Sequence, residues 1–320
     1  MTQNALLIVE SETPLIIKSR NADTLQNFVT DHAREIESKI AEHGAVLLRG
    51  YKADGDNTLA ALFESLWSTP SAYVYRSTPR TNVGNGVYTA TEYPKNQEIP
   101  MHNENAYQRD WPTRIGFHCV TPADTGGQTP LANVSYVTAR LDPAVVSVFR
   151  ERGVSYVRNY SEFVDLPWQT VFQTDSKSDV EEFCVENDIA FEWTDEGLRT
   201  QQVCQGTAIH PENGEELWFN QAQLFHVSSL GPEMAASMID TFGVRGLPRN
   251  AYFGNGEAIP DDVIAHVTHA FEQEKIIFNW LKDDVLLLDN MRFAHGRRPF
   301  TGARRVLVSM GRPFSGVTQQ

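Results

Sequence analysis

The sequence contains no long apolar run. No window of its 320 residues approaches the roughly 18 consecutive apolar residues of a membrane-spanning helix, so we expect no membrane span. The first ten residues, Met1 to Glu10, lack the basic flank and the apolar length of a secretory signal peptide. Cysteine is scarce, since Cys119, Cys184 and Cys204 are odd in number and form no CxxC motif. These absences favour a protein of the reducing cytoplasm with buried thiols.

Basic residues are outnumbered. The chain has 27 Lys+Arg against 41 Asp+Glu, a formal net charge of −14, and no basic run is longer than two. Proteins that bind nucleic acid usually present a basic stripe or patch, so we predict no nucleic-acid partner. The pairs Arg297-Arg298 and Arg304-Arg305 lie in an apolar, aromatic segment. That context is more typical of anion capture in a pocket.

No repeat, low-complexity tract, linker, GxGxxG motif or P-loop interrupts the chain, which favours one domain over residues 1–320. Helices come early and short strands late, a pattern of an α+β fold with a mainly antiparallel β core. Long segments at about 73–100 and 164–206 are irregular in pattern and resemble lids. The periodicity predicts helices at 25–43, 57–67, 178–187 and 261–273, and strands at 45–50, 114–120, 275–280, 285–289 and 305–310.

One short motif carries metal chemistry. His102 and Glu104 are two residues apart, so on an extended segment both side chains point to the same side. His295 is the natural third ligand, because two His and one carboxylate with open positions form the facial triad of non-haem Fe(II) oxygenases. His118, His210 and His226 are weaker alternatives, since none lies in a matching context.

Two further residues suit a dicarboxylate. Thr129 lies in a Gly-Gly-Gln-Thr-Pro-Leu stretch, and Arg305 follows His295 by ten positions. A hydroxyl and a guanidinium can hold a distal carboxylate by charge-assisted hydrogen bonds.

With these motifs the chain resembles the taurine dioxygenase-like, or clavaminate synthase-like, Fe(II)/2-oxoglutarate oxygenases. It is most similar to their amino-acid-hydroxylating branch, which includes the syringomycin-type aspartyl hydroxylases. Substrates of that branch are often tethered to a peptidyl carrier protein. The resemblance covers most of the chain and rests on His102-x-Glu104, Gly126–Leu131, Trp218–Gln221, Asp284–Asn290, His295–Phe300 and Arg304-Arg305.

The resemblance implies a double-stranded β-helix, or cupin-like jelly roll, with flanking helices and long lid loops. It implies that His102, Glu104 and His295 hold Fe(II), and that Thr129 and Arg305 bind 2-oxoglutarate. O2 would be the other cosubstrate, and succinate and CO2 the by-products. The expected reaction is hydroxylation of an unactivated C–H of an amino acid or its derivative, free or on a carrier protein. Monomer and homo-oligomer both stay open.

Two departures from the taurine enzyme matter. Its carboxylate ligand is Asp, whereas Glu104 is one methylene longer, as in the amino-acid-hydroxylating branch. Its second arginine, four residues beyond the first, is here Ser309, and Arg297 or Arg312 is a candidate substitute. Related halogenases lack the carboxylate ligand, so Glu104 favours hydroxylation over halogenation.

Candidate substrate contacts come from the same motifs. Asn105 and Tyr107 follow the metal motif, Asn220 lies in Trp-Phe-Asn-Gln, and Arg292 precedes His295. Each also has a purely structural interpretation: loop packing, satisfied strand amides or an ion pair.

Three other activities are alternatives. Desaturation or cyclisation of a small carboxylate uses the same hydrogen abstraction. A cupin-like protein could bind metal without turnover. A zinc hydrolase could use the same ligands, but it has no need of Thr129 and Arg305, and the sequence has no HExxH motif.

Overall fold

The structure is a computed structural model that describes residues 8–10, 13–19, 23–67, 75, 78, 80–90, 92–161, 166–195 and 197–316. Its α-helices are α1 (Leu25–His43), α2 (Thr58–Trp67), α3 (Val134–Arg140), α4 (Pro143–Arg152), α5 (Trp168–Phe172), α6 (Lys177–Glu186), α7 (Ala222–Phe225), α8 (Pro232–Gly246) and α9 (Asp261–Gln273). Its strands are β1 (Ile8–Glu10), β2 (Leu15–Lys18), β3 (Ala45–Arg49), β4 (Asn82–Gly84), β5 (Val87–Thr89), β6 (Ile99–His102), β7 (Asp110–Thr121), β8 (Thr125–Gly126), β9 (Leu131–Asn133), β10 (Val154–Tyr160), β11 (Ala190–Thr194), β12 (Gly197–Cys204), β13 (Thr207–Ile209), β14 (Glu216–Trp218), β15 (Arg249–Phe253), β16 (Lys275–Ile276), β17 (Val285–Asp289), β18 (Phe293–Arg297), β19 (Phe300–Thr301) and β20 (Arg305–Ser315).

Two sheets form the jelly-roll core. The larger has the order β1-β2-β3-β17-β7-β20-β5-β4, and the smaller has the order β16-β9-β18-β6. One apolar cluster joins them, since Leu131 and Phe293 of the smaller sheet pack with Phe117, Leu288 and Val308 of the larger. The predicted fold class is confirmed.

The central strand β17 is buried on both faces, which explains its unbroken Val-Leu-Leu-Leu run. Leu286 and Leu288 face the smaller sheet. Val285 and Leu287 face the opposite way and share a cluster with residues of α1 and α2. The early helices therefore cover the outer face of the larger sheet and leave its inner face for the site.

A third layer is built from the sheet β11-β12-β10-β15 with α3, α4, α7 and α9, around the largest apolar cluster. The described part of segment 164–206 belongs to this layer, as α5, α6 and the β11–β12 hairpin. The prediction of an irregular segment was wrong there, whereas a lid role for it stays a prediction. Phe172 and Phe183 pack their rings 5.6 Å apart, and such aromatic contacts anchor the segment.

The other predicted lid, 73–100, lies partly outside the described residues. Its described part contains β4, β5 and the start of β6.

The predicted helices 25–43 and 261–273 are confirmed at those bounds. The helix predicted at 178–187 is α6 (Lys177–Glu186), and its N-cap is Ser176, whose Oγ accepts from the Asp179 N–H. Of the strand predicted at 275–280, only Lys275–Ile276 is a strand, so the prediction is wrong for the rest. No helix among the described residues is long and apolar enough to cross a membrane.

Candidate active site

Two histidines face each other across a strand pair. His102 ends β6, His295 lies in the middle of β18, and the antiparallel register sets them directly opposite. Their ring centroids are 4.7 Å apart. Gly296 permits this close approach, because a Cβ there would lie 2.6 Å from the Ile99 carbonyl oxygen. The two neighbouring strands thus bring both imidazoles to the same small space.

Glu104 completes the cluster from the turn after β6. Its Oε2 lies 3.8 Å from Nε2 of His295. One ligand atom from each of His102, Glu104 and His295 lies within 4.8 Å of the others. The structure therefore brings together the three residues that the sequence predicted as metal ligands.

Both imidazoles are suited to bind a metal. Nδ1 of His102 lies 2.8 Å from the Pro100 carbonyl oxygen, to which it donates, so Nε2 keeps its lone pair. Burial lowers the pKa of His102, against the charge of Glu104. Burial, with the charges of His102 and Arg80, holds the pKa of His295 well below its usual value. Two neutral imidazoles and a carboxylate fit Fe(II).

The Glu104 turn is fixed by Asn290, which lies between β17 and β18. Oδ1 of Asn290 accepts from the Glu104 N–H at 2.8 Å, and Nδ2 donates to the Glu104 carbonyl at 3.0 Å. Nδ2 also donates to the Pro112 carbonyl at 2.7 Å. One buried amide thus ties the loop with the carboxylate to the strand pair that carries His295.

Asp289 shapes the turn that holds Asn290. Its Oδ1 accepts from the backbone N–H groups of Met291 and Arg292, at 3.0 and 3.2 Å. Its Oδ2 lies 2.9 Å from Nε2 of His210 and 3.2 Å from Nη1 of Arg114. Burial alone would raise the pKa of Asp289, but the His210 hydrogen bond and the Arg114 charge lower it. His210 is therefore a structural partner of this turn and lies outside the metal cluster.

Arg80 touches the metal cluster and was missed in the sequence. Its Nη2 lies 2.8 Å from Oε2 of Glu104, and each side chain is only 4% exposed. Arg80 also lines two cavities that meet at His102. It lies outside any motif, in a loop-like stretch, so no sequence signal marked it.

The first cavity has the features of a carboxylate site. Thr129, Arg304, Arg297 and Val308 line it beside the two histidines. Nη2 of Arg304 lies 3.4 Å from Oγ1 of Thr129, and the Trp280 indole donates to the same oxygen at 3.0 Å. Burial and the charge of Arg297 lower the pKa of Arg304 to about 10, so it stays protonated at pH 7. Among the described residues no carboxylate pairs with Arg304, which leaves its charge available to an anion.

Arg305 does not reach this cavity, contrary to the sequence prediction. Its guanidinium pairs with Asp56, with Nη2 2.7 Å from Oδ2, and its side chain is 41% exposed. Side chains alternate between the two faces of a strand. Arg304 therefore lies on the same face as Val306 and Val308, which point into the space between the sheets. The arginine beside Thr129 is therefore Arg304.

The predicted substitutes for a second arginine differ in position. Arg312 pairs with Glu37 at 2.7 Å, away from the cavity. Arg297 does line the cavity, but its guanidinium donates to the carbonyls of Tyr93, Pro94 and Gln97 at 2.7 to 3.0 Å. Arg297 thus mainly fixes that loop.

Ser309 donates to the Gly86 carbonyl at 2.9 Å and is buried. The position four residues beyond Arg304 is Val308, an apolar wall of the cavity.

Four predicted substrate contacts lie elsewhere than expected. Nδ2 of Asn220 donates to the Gly206 carbonyl at 2.6 Å, and Arg292 donates to the Ala41 carbonyl at 2.7 Å, at the end of α1. The hydroxyl of Tyr107 donates to the Tyr75 carbonyl at 2.8 Å. Asn105 has a positive φ of 58° in the turn after Glu104. None of the four lines either cavity, so the structural interpretation of each is favoured.

The second cavity, hereafter the chamber, has a volume of about 260 Å³ and opens on the other side of His102 and Glu104. Gln221, which belongs to the Trp-Phe-Asn-Gln motif, also supports the metal loop, since its Nε2 donates to the Asn103 carbonyl at 2.7 Å. Apolar, amide and charged side chains share the lining, which includes Arg80, Ile99, Gln221, Gln223, Leu224, Phe225, Leu230 and Arg249.

Comparison with known proteins identifies the family. A family model described as taurine catabolism dioxygenase TauD, TfdA family, matches residues 12–310. The dapdiamide synthesis protein DdaC of Enterobacter agglomerans is 39% identical over 297 residues, which cover 92% of this chain and 90% of that protein. A clavaminate synthase-like protein of Arabidopsis thaliana is 31% identical over 287 residues, which cover 86% of this chain and 83% of that protein.

Solved structures agree in fold. One of them is PvcB, described as an Fe, alpha-ketoglutarate dependent oxygenase from an isonitrile synthetic pathway. The match has a TM-score of 0.54 at 16% identity and covers 94% of this chain and 88% of the PvcB chain. The chain belongs to the TauD/TfdA family of dioxygenases. It is a non-haem Fe(II)/2-oxoglutarate-dependent dioxygenase, as the sequence predicted.

Proposed function

We propose that this dioxygenase hydroxylates an unactivated C–H of an amino acid or amino-acid-derived substrate, with release of succinate and CO2. In the proposal His102, Glu104 and His295 hold the iron, and Thr129 and Arg304 hold the distal carboxylate of 2-oxoglutarate. The chain would act in the cytoplasm as one domain. One observation carries the proposal: the His-Glu-His cluster lies where a cavity lined by Thr129 and Arg304 meets a second, larger chamber.

The protein's own residues set the geometry of the reaction. When bound, the iron supplies oxidative decarboxylation of 2-oxoglutarate and hydrogen abstraction from the substrate. Arg304 and Thr129 fix the far end of the cosubstrate by a charged hydrogen bond, which orients its other end toward the histidines. The apolar walls, Phe117 and Val308, exclude water around it. Arg80 donates to Oε2 of Glu104 and so helps to fix the carboxylate that would hold the metal.

The chemistry of the chamber supports an amino-acid-like substrate. Its guanidinium and amide groups match the carboxylate and nitrogen of such a molecule, and its apolar residues match a carbon skeleton. The 39% identical relative is named for dapdiamide synthesis, which supports a role in making a natural product. A substrate presented on a peptidyl carrier protein is the alternative form of delivery.

The test is an oxygen-consumption and succinate assay with Fe(II), 2-oxoglutarate and a panel of free amino acids beside aminoacyl-carrier conjugates. We expect one substrate to gain a single oxygen atom with matching succinate. A product that lost two hydrogens would indicate desaturation or cyclisation instead. Absence of substrate-dependent succinate from every panel member, or turnover supported by zinc, would contradict the proposal.

A further inference from the structure

The hydroxyl of Thr129 accepts two hydrogen bonds. The Trp280 indole N–H donates to its Oγ1 at 3.0 Å, and Nη2 of Arg304 donates to the same oxygen at 3.4 Å. An indole N–H and a guanidinium can only donate, so the direction of both bonds is fixed. A hydroxyl has two acceptor lone pairs and one proton. Both lone pairs of Thr129 are therefore engaged, and its proton is the hydrogen-bonding capacity that it still has.

This proton is placed to meet a ligand in the first cavity. Thr129 is 3% exposed and lines that cavity beside Arg304. Among the described residues no acceptor receives its O–H. Buried polar groups are nearly always satisfied, so the proton points to a ligand that brings an acceptor. Thr129 and Arg304 thus form a wall that only donates, which suits an ionised carboxylate and disfavours a group with N–H donors.

The indole is held firmly beside Thr129. Trp280 lies in the irregular segment between β16 and β17 and is 7% exposed. Its ring meets the Phe278 ring edge-on, with the centroids 4.8 Å apart, and belongs to the apolar cluster between the two sheets. The preceding residue, Asn279, accepts at Oδ1 from Nε2 of Gln128 at 3.1 Å. A second bond thus ties the segment of Trp280 to the segment of Thr129.

A buried carboxylate anchors the same segment to the larger sheet. Oδ2 of Asp284 accepts from the Leu281 N–H at 2.8 Å and from Nη2 of Arg49, at the end of β3, at 2.6 Å. The same Nη2 donates to the Asn279 carbonyl at 2.7 Å. Asp284 is fully buried. The residues on both sides of Trp280 are therefore fixed by one charged pair.

We propose that Trp280 is a positioning residue of the cosubstrate site, which directs the Thr129 proton to the distal carboxylate of 2-oxoglutarate. The inference rests on the proposed function and extends it. Among the described residues Trp280 is not one of those that line the cavity, so it acts through Thr129. Without the indole N–H the hydroxyl could turn and accept, and the site would then tolerate a distal amide. Trp280 thereby selects a 2-oxo dicarboxylate.

The test measures equilibrium binding without turnover. The full chain, loaded with Mn(II), is titrated with N-oxalylglycine, an inert analogue of 2-oxoglutarate, and with N-oxalylglycinamide, in which an amide replaces the distal carboxylate. We expect the wild type to bind the amide about tenfold to a hundredfold more weakly. Trp280→Phe should weaken the acid about twofold to tenfold and the amide less, so that the preference narrows. Unchanged affinities for both ligands overturn the proposal.

Two further variants separate positioning from structure. Trp67→Phe is the matched control, since Trp67 is 8% exposed and its indole donates to Glu37 beside α1, so its loss should change neither affinity. If Trp280 acts through the hydroxyl, Trp280→Phe should change affinity by less than about twofold in a Thr129→Val background. A loss by the same factor in both backgrounds indicates a structural role and overturns the assignment.

The two proposals can fail separately. Binding that depends on Thr129 but ignores Trp280, with substrate-dependent succinate, would retain the hydroxylase and refute the positioning role. The full binding pattern without oxygen-dependent succinate from any substrate would retain the positioning role and refute the hydroxylase. An affinity for N-oxalylglycine that does not depend on Thr129 would refute both the cosubstrate site and the inference.

Discussion

Neighbouring arginines have opposite surroundings at the start of β20. Arg304 meets Thr129 inside a cavity, whereas Arg305 pairs with Asp56 at the surface. We predict that Arg304→Met raises KM for 2-oxoglutarate about tenfold to a hundredfold, because a charged hydrogen bond to the cosubstrate is lost. Arg305→Met is the matched control, which removes one charge and an exposed ion pair worth about 0–1 kcal/mol. Equal effects of both variants on KM would refute the assignment.

The metal ligands support a second prediction. His102→Ala and Glu104→Ala should abolish substrate-dependent succinate formation, because two remaining ligands cannot keep the facial arrangement. Without metal, His102→Ala should unfold near the wild-type temperature, whereas Glu104→Ala should unfold at a lower temperature because the buried Arg80 loses this carboxylate. With added Mn(II), only the wild type should gain stability, by about 2.7 kcal/mol at a metal concentration one hundred times Kd. Full activity in either variant would contradict the ligand set.

The ligands could be predicted from the sequence because their signal is local. His102 and Glu104 lie two residues apart, and His295 lies in a recognisable His-Gly-Arg stretch. Whether Arg304 or Arg305 reaches the cavity depends on which face of the strand points inward. The residues that follow are apolar on both faces, so the sequence does not show which face that is. Arg80 reaches Glu104 only through tertiary packing.

At the scale of elements, the turn between β17 and β18 supports the site. Asn290 makes three hydrogen bonds to backbone groups around Glu104. Asn290→Ala should therefore weaken metal binding about tenfold to a hundredfold while all three ligands remain. Asn159→Ala is a control, since its Nδ2 donates to the carbonyls of Arg245 and Leu247 near α8, at 2.9 and 2.7 Å, and its Oδ1 accepts from Arg199 at 3.5 Å. Metal titrations of both variants check the prediction, which fails if they bind equally.

Segment 164–206 shows why element prediction failed in places. Its helices are only five and ten residues long, and the alternation of exposed and half-buried positions in β11 spans only five residues, so each periodic signal is short. Its order comes from contacts with the third sheet, which a single sequence does not display. The long helices α1 and α9, by contrast, carry a continuous apolar stripe and were predicted at their bounds.

At the scale of the whole molecule, buried histidines set the response to acid. Burial lowers the pKa of His118 and His226 below the usual 6.5, against the nearby Asp283 and Asp261. The unfolded chain then takes up protons first as the pH falls, so the free energy of unfolding should decrease below about pH 6.5. The slope is about 1.4 kcal/mol per pH unit for each proton.

Urea unfolding of the metal-free chain between pH 7.5 and 5.5 checks this response. His118→Leu should reduce this slope by about one proton. A flat stability profile for the wild type would show that these imidazoles stay protonated in the folded state.

The position of β6 has a consequence for association. It is the last strand in the order of the smaller sheet, and it is only four residues long. Its second residue, Pro100, is exposed and has no N–H to offer an incoming strand. The strand that carries His102 is thus a poor template for edge-to-edge pairing, which protects the catalytic cluster from aggregation through its own sheet.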